Sequence, residues 1–300
     1  MKNDVRKTEF FLGQDSHVGY EHLVNEDDCG WFSTPAGELF VVADGLRGQA
    51  GGGVASRIAV AAFRDHLNEG GSSEELLKGA LLAADAAVLE AGEKYPELRG
   101  LGASLVALLL NGGDAYYTHA GASRLYLLSQ GKLRRLTTDD SRAQEMVDTG
   151  RLTEAQAALS PERHILTRSA GCGLKAGDLK VGRLPFHPDD TFLLSTSGLS
   201  DLVGDAEIHE ILKTPFSPQD RARKLIETAV SVDGSDNITA QVLAFRPGKD
   251  MPQPELPLPA GGRKRGRVFL LGFICGFACC WGGLYAWQTW GHLVRKALFP

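Results

Sequence analysis

A chain of 300 residues with 43% hydrophobic content is long enough to bury a substantial core. Its net charge of -5 hides a division, because the last 50 residues hold six basic side chains against one acid while the first 250 hold 26 against 36. An acidic body excludes nucleic acid as the main partner, since a phosphate backbone needs a basic face.

The opening residues, MKNDVRKTEF, turn to charge at once and do not read as a signal peptide. Residues 38–43 (ELFVVA) predict a short apolar strand ending at Asp44-Gly45, and a glycine-rich turn then opens a helix over 54–67. A second helix is predicted over 74–92, where Ala and Leu recur at helical spacing. Strands follow at 103–110, 114–120 and 123–129, and the short links Asn111-Gly112-Gly113 and Gly121-Ala122 suit hairpins or tight turns. A helix is expected over 141–159, further strands at 179–184, 191–196 and 238–244, and helices at 206–213 and 218–231. Paired helices set apart from runs of closely connected strands point to an α+β class, with antiparallel sheets covered by helices.

After Phe245 the composition changes. Residues 247–262 carry prolines at 247, 252, 254, 257 and 259, which suits an extended, semi-rigid linker and ends the body at about residue 246. Residues 268–290 (VFLLGFICGFACCWGGLYAWQTW) contain no Asp, Glu, Lys, Arg or His, and as a helix would span roughly 34 Å. Four basic residues (Arg263, Lys264, Arg265, Arg267) precede this run, Arg295 and Lys296 follow it, and Trp281, Tyr285, Trp287 and Trp290 crowd its far half. The expectation is a single-pass membrane helix within 263–300, with the N-terminal body in the cytoplasm. Gly272 and Gly276 form a GxxxG pattern through which two such helices could pair in a homodimer. Cys275, Cys279 and Cys280 lie in the apolar run, leaving Cys29 and Cys172 to the body. That is neither a disulfide framework nor a CxxC metal knuckle, and it fits a reducing compartment.

Carboxylates gather at three places beside predicted strands: Glu26-Asp27-Asp28, Asp44 and Asp236. Hard oxygen donors of this kind suit Mg²⁺ or Mn²⁺, although acidic turns are also ordinary solvated loops. The glycines at 48 and 51–53 lack the Lys-Ser/Thr step of a phosphate-binding loop, and no GxSxG surrounds Ser195, Ser197 or Ser200. Arg168 is placed to meet a phosphate or, equally, to form an internal salt bridge.

Eight stretches, in order, resemble the bacterial branch of the type 2C metal-dependent protein phosphatases. They are VNEDD (24–28), VVADGLRGQAGGGVAS (41–56), LGASLVALLL (101–110) and THAGASRLYLLSQGKLRRLTTDDS (118–141), then MVDTGRLTEAQ (146–156), HILTRSAG (164–171), DDTFLLSTSGLSDLV (189–203) and GSDNITAQV (234–242). The resemblance implies a four-layer sandwich of two antiparallel sheets between helices. It also implies hydrolysis of phosphoserine and phosphothreonine by two Mg²⁺ or Mn²⁺ ions and a water they activate. Asp44 matches the family's bridging carboxylate, Gly45 its carbonyl ligand, Glu26 and Asp27 its early acidic pair, and Asp236 its late metal-binding aspartate. Other positions depart from the pattern. Ser197 and Ala122 stand where the family has metal-linked aspartates, and His22 where it has a phosphate-gripping arginine. Asp140 replaces a histidine, His17 an aspartate, Gln49 a histidine and Gly53 a glutamate. Losing anionic ligands weakens a dinuclear centre, and an imidazole is cationic only when protonated. The resemblance with these losses implies weak or single-site Mg²⁺ or Mn²⁺ binding and a domain of little or no turnover. Such a domain would act in recognition of phosphoproteins or of a Ser/Thr kinase. The alternative is an active phosphatase with an altered or single-metal centre.

Overall fold

The computed structural model describes residues 9–46 and 51–245. Gln49, the linker at 247–262, the run at 268–290 with its basic flanks, and the Gly272-Gly276 pattern lie outside the described residues. Among the described residues no helix is long and apolar enough to cross a membrane.

Two antiparallel five-stranded sheets face each other. One has the order β1-β10-β9-β6-β7, formed by β1 (Phe11–His17), β10 (Ile238–Ala244), β9 (Thr191–Ser195), β6 (Arg124–Ser129) and β7 (Lys132–Arg135). The other has the order β2-β3-β4-β5-β8, formed by β2 (Asp27–Thr34), β3 (Gly37–Gly45), β4 (Ala103–Asn111), β5 (Asp114–Ala120) and β8 (Gly182–Pro185). Helices α1 (Gly52–His66) and α2 (Ser73–Lys94) cover the outer face of the second sheet, where Phe63, Leu77 and Leu81 pack on Leu39, Val41 and Leu105. Helices α6 (Asp205–Lys213) and α7 (Pro218–Val232) cover the first, where Ile208, Leu225 and Ile226 pack on Leu193 and Val242. This is the expected four-layer α+β sandwich.

Strand alternation divides the side chains between these layers. On β3, Leu39, Val41 and Ala43 face the helices, while Phe40 and Val42 enter the core between the sheets with Val106, Leu108, Leu125, Phe192 and Leu194. Burial on both faces explains why β3 and β4 read as unbroken apolar runs. Helix α2 starts at a capping box: Ser72 Oγ accepts from the Glu75 amide, and the Glu75 carboxylate accepts from the Ser72 amide at 3.1 Å.

Two expectations need correction. The link Asn111-Gly112-Gly113 does close a hairpin, but Gly121-Ala122 carries the chain from β5 in one sheet to β6 in the other. Gly121 has φ +112°, and a Cβ there would sit 2.5 Å from Ser104 Oγ, so this crossing requires glycine. The segment 141–159 is two helices, α3 (Arg142–Asp148) and α4 (Glu154–Ala158). Gly150 takes φ +71° between them, and Thr153 caps the second with a Gln156 capping box, so local signals override the helical spacing.

Candidate active site

At one end of the sandwich the inward-facing positions of several strands turn polar. Cys29 gives way to Asp27 on β2, Val42 to Asp44 on β3 and Val106 to Ser104 on β4. In the opposite sheet Leu125 gives way to Ser123, Leu194 to Thr196, and Leu243 to Gln241 and then Thr239. Asp27 pairs directly across the ladder with Asp44, and Asp44 with Ser104. Two carboxylates directly opposite each other repel, which is costly unless donors or a cation lie between them.

The opposite sheet supplies hydroxyl donors. Thr239 Oγ1 donates to Asp27 Oδ2 at 2.6 Å and Thr196 Oγ1 to the same oxygen at 3.0 Å. Ser197 Oγ donates to Asp44 Oδ2 at 2.9 Å from the start of α5 (Ser197–Ser200). The position that the resemblance marks as a lost carboxylate therefore holds a neutral group in direct contact with Asp44.

Glu26 is fixed through its backbone. Its amide donates to Asn237 Oδ1 at 2.8 Å, and its carbonyl accepts from Gly45 N at 3.2 Å and Ser56 Oγ at 2.6 Å. Asn237 is nearly buried, and its Nδ2 donates to the Val18 carbonyl at 2.6 Å, while its own amide donates to Asp236 Oδ1 at 2.7 Å. Glu26, Asp44, Gly45 and Asp236 thus lie in segments that converge at one end of the fold. His22 is half-buried in the loop between β1 and β2. Among the described residues no three His, Cys, Asp or Glu side chains form a ready-made metal-binding group. The donor chemistry nevertheless fits a hard divalent cation, because two paired carboxylates and a strand-end carbonyl are all oxygen ligands.

Ala122 presents a methyl group where the family pattern has a carboxylate, and its amide donates to Ser104 Oγ at 3.0 Å. Asp140 sits close by: its Oδ2 accepts from Gly121 N at 3.0 Å, and its Oδ1 accepts from Arg168 Nε at 3.0 Å and from Arg168 Nη2. Arg168 is therefore a salt-bridge residue. Next to it, Arg124 grips Asp139 with Nε at 2.9 Å and Nη2 at 2.6 Å. Burial works against the Arg124 charge, but the bond from Asp139, with help from Tyr126, outweighs it and holds the proton more firmly than usual. A groove of about 660 Å³ runs past Asp140 and Arg168 beneath α3.

On the outward-facing side of β2, burial raises the Asp28 carboxyl above its ordinary range, with the Cys29 amide and Arg57 pulling it down. Burial, then the charges of Asp28 and Asp27, push the Cys29 thiol up to about 12. Raised in this way, the buried thiol stays protonated and is expected to react slowly. Mass-spectrometric mapping of thiol labelling at pH 8 is expected to find exposed Cys172 modified and Cys29 modified only after denaturation. Equal labelling of the two in the native protein would contradict this placement.

The hydroxyls of Ser104, Thr196 and Thr239 escaped the sequence reading. For Ser104 and Thr196 the available signal was the strand alternation carried one step past Val106 and Leu194, and for Thr239 two steps past Leu243.

Residues 14–235 match the family described as Protein phosphatase 2C. The serine/threonine protein phosphatase PstP of Mycobacterium tuberculosis is 35% identical over 242 residues, covering 75% of this chain and 46% of that protein. The chain thus spans less than half the length of that relative. The serine/threonine phosphatase stp of Listeria monocytogenes is 33% identical over 222 residues, covering 72% of this chain and 88% of its own. Among solved structures, the catalytic domain of PstP in complex with two manganese ions superposes with a TM-score of 0.68 at 32% identity, covering 79% of this chain and 99% of that one. Extent and identity together settle the family, and the chain belongs to the protein phosphatase 2C family.

Proposed function

We propose that this chain is a metal-dependent protein serine/threonine phosphatase with an altered centre. The observation that carries the reading is the ladder pair Asp27 and Asp44, which sets two carboxylates side by side next to the Gly45 carbonyl, an all-oxygen donor set suited to a hard cation. Asp44, the Gly45 carbonyl, Asp236 and Glu26 would hold Mg²⁺ or Mn²⁺, with Asp27 beside them. The ion, when bound, draws charge from the phosphoryl oxygens and lowers the pKa of a water. The chain's own residues set the frame: Thr196 and Thr239 fix Asp27, Ser197 orients Asp44, and Asn237 locks the Glu26 backbone. With Ser197 and Ala122 neutral, the centre favours one ion, or two held weakly.

The relatives carry the names of phosphatases, which supports turnover over a silent recognition domain. Ser197 and Ala122 are what a recognition-only reading rests on. Substrates are phosphoserine and phosphothreonine proteins, and a Ser/Thr kinase is a fitting partner. Residues 268–290 would hold the domain at a cell membrane with its body in the cytoplasm, raising its concentration near membrane substrates, and Gly272-Gly276 would allow pairing. The test is hydrolysis of a phosphothreonine peptide by the full chain in detergent with Mn²⁺. Turnover lost in EDTA is expected, and no phosphate release at millimolar Mn²⁺ would leave the recognition reading standing instead.

A further inference from the structure

The loop between β1 and β2 exposes three large apolar side chains at the edge of the candidate site. Leu23 is fully exposed, Tyr20 is 74% exposed and Val24 62%. Burying such groups is favourable, so a cluster held out in water marks a contact surface. The backbone beneath them is firmly tied. Tyr20 N donates to the Gly234 carbonyl at 2.5 Å, Gly19 N donates to His17 Nδ1 at 2.9 Å, and Asn237 Nδ2 holds the Val18 carbonyl. The Tyr20 ring lies edge-on to His17, with centroids 5.7 Å apart. Past Val24 the chain enters the site at once, because Asn25 Oδ1 accepts from Asp27 N at 3.0 Å and Glu26 is bound by Asn237.

We infer that Tyr20, Leu23 and Val24 form an apolar lip that binds hydrophobic side chains flanking the phosphorylated residue of a protein substrate. This rests on the phosphatase reading above. The occupant is the substrate because the lip is continuous with the segment bearing Glu26 and Asp27. A substrate chain engaging the Asp27–Asp44 pair lies next to the loop that leads into Asp27. The lip confers specificity and takes no part in the chemistry.

The experiment uses the full chain with Mn²⁺, the double variant Leu23→Ser, Val24→Ser, and three substrates. Two are phosphothreonine peptides differing only in leucine or serine at the flanking positions, and the third is p-nitrophenyl phosphate. Both side chains are exposed, so the variant should fold normally. Wild type is expected to favour the leucine peptide by about 10-fold in kcat/KM, mostly through KM. The variant should lose that preference while hydrolysing p-nitrophenyl phosphate as before. No preference in wild type, a preference that survives in the variant, or an equal loss on all three substrates overturns the inference. So does a variant that keeps the peptide preference but loses binding to phospholipid vesicles or self-association. If wild type hydrolyses none of the three, the phosphatase reading fails, and titration of the two peptides decides the lip alone. Tighter binding of the leucine peptide that the variant loses sustains the lip, and equal or absent binding overturns it.

Discussion

Replacing Ser197 with aspartate is expected to destabilise the metal-free protein and to raise its affinity for Mn²⁺ by at least about 10-fold. The serine hydroxyl lies 2.9 Å from Asp44 Oδ2 and donates to it. An aspartate there removes the donor and sets a second carboxylate against Asp44, with Asp27 already paired to it across the ladder. At an effective dielectric of about 20, charges about 4 Å apart repel by roughly 4 kcal/mol, and side-chain rotation relieves part of this. A net loss of about 1–2 kcal/mol in EDTA is expected, on the order of 3–6 °C in the melting midpoint for a domain of this size. Mn²⁺ should offset most of this loss, because a 10-fold tighter site returns up to about 1.4 kcal/mol relative to wild type. Occupancy at 100 times Kd adds about 2.7 kcal/mol, so the tighter-binding variant gains more at any given Mn²⁺ concentration. The companion change Asp44→Asn should abolish Mn²⁺-dependent turnover, by about 10³-fold, because it removes an anionic oxygen from the proposed centre. Calorimetric Mn²⁺ titration and melting in EDTA read both effects. If Ser197→Asp binds Mn²⁺ no better than wild type, Ser197 lies outside the ion's reach and the proposed centre is misplaced.

What the sequence made legible follows from which forces were local. β3 and β4 are buried on both faces, so their apolar runs were plain, and the alanine-rich spacing of α2 marked a helix resting on a sheet. β1 and β7 were not recognised, because edge strands face solvent and pair on one side only; KLRR in β7 is almost wholly polar. β2 was hidden for a functional reason. It opens on Asp27-Asp28 and contains Gly30, residues that weaken a strand signal, and one of those carboxylates belongs to the site. The Asp44 turn and the Asp236-Asn237 step were visible as acidic residues beside strands. That Asn237 would clamp Glu26 across 211 positions was not, since nothing local encodes a contact at that separation. The same holds for Thr196 and Thr239, which meet Asp27 only once the two sheets have closed. Arg168 was left between two roles by the sequence, and the fold resolves it by burying its partner.

That partner makes the second large effect calculable. Asp140 keeps only 4% of its side chain exposed, whereas Arg168 keeps 34%. Their pair joins the segment after β7 to the segment before β8, and through Gly121 N it also fixes the crossing turn beside Ser104. Arg168→Ala leaves a carboxylate that is buried in the native protein without its guanidinium partner, with one backbone amide still bonded and His119 Nε2 3.8 Å away. Stranding a buried charge costs about 3–5 kcal/mol, so the midpoint should fall by on the order of 10 °C. Asp140→Asn is the milder change, because the amide oxygen can still accept from Gly121 while the guanidinium turns toward solvent; a loss of about 1–2 kcal/mol is expected. The double variant Arg168→Ala, Asp140→Asn should then be more stable than Arg168→Ala alone, since no charge remains buried without its partner. Denaturant melts of the four proteins give the coupling directly. If the two single changes prove equally costly and additive, the asymmetric burial of the pair does not govern its energetics. If Arg168→Ala also raises KM without lowering Mn²⁺ affinity, the pair positions the crossing turn and the α3 segment for substrate independently of the ion.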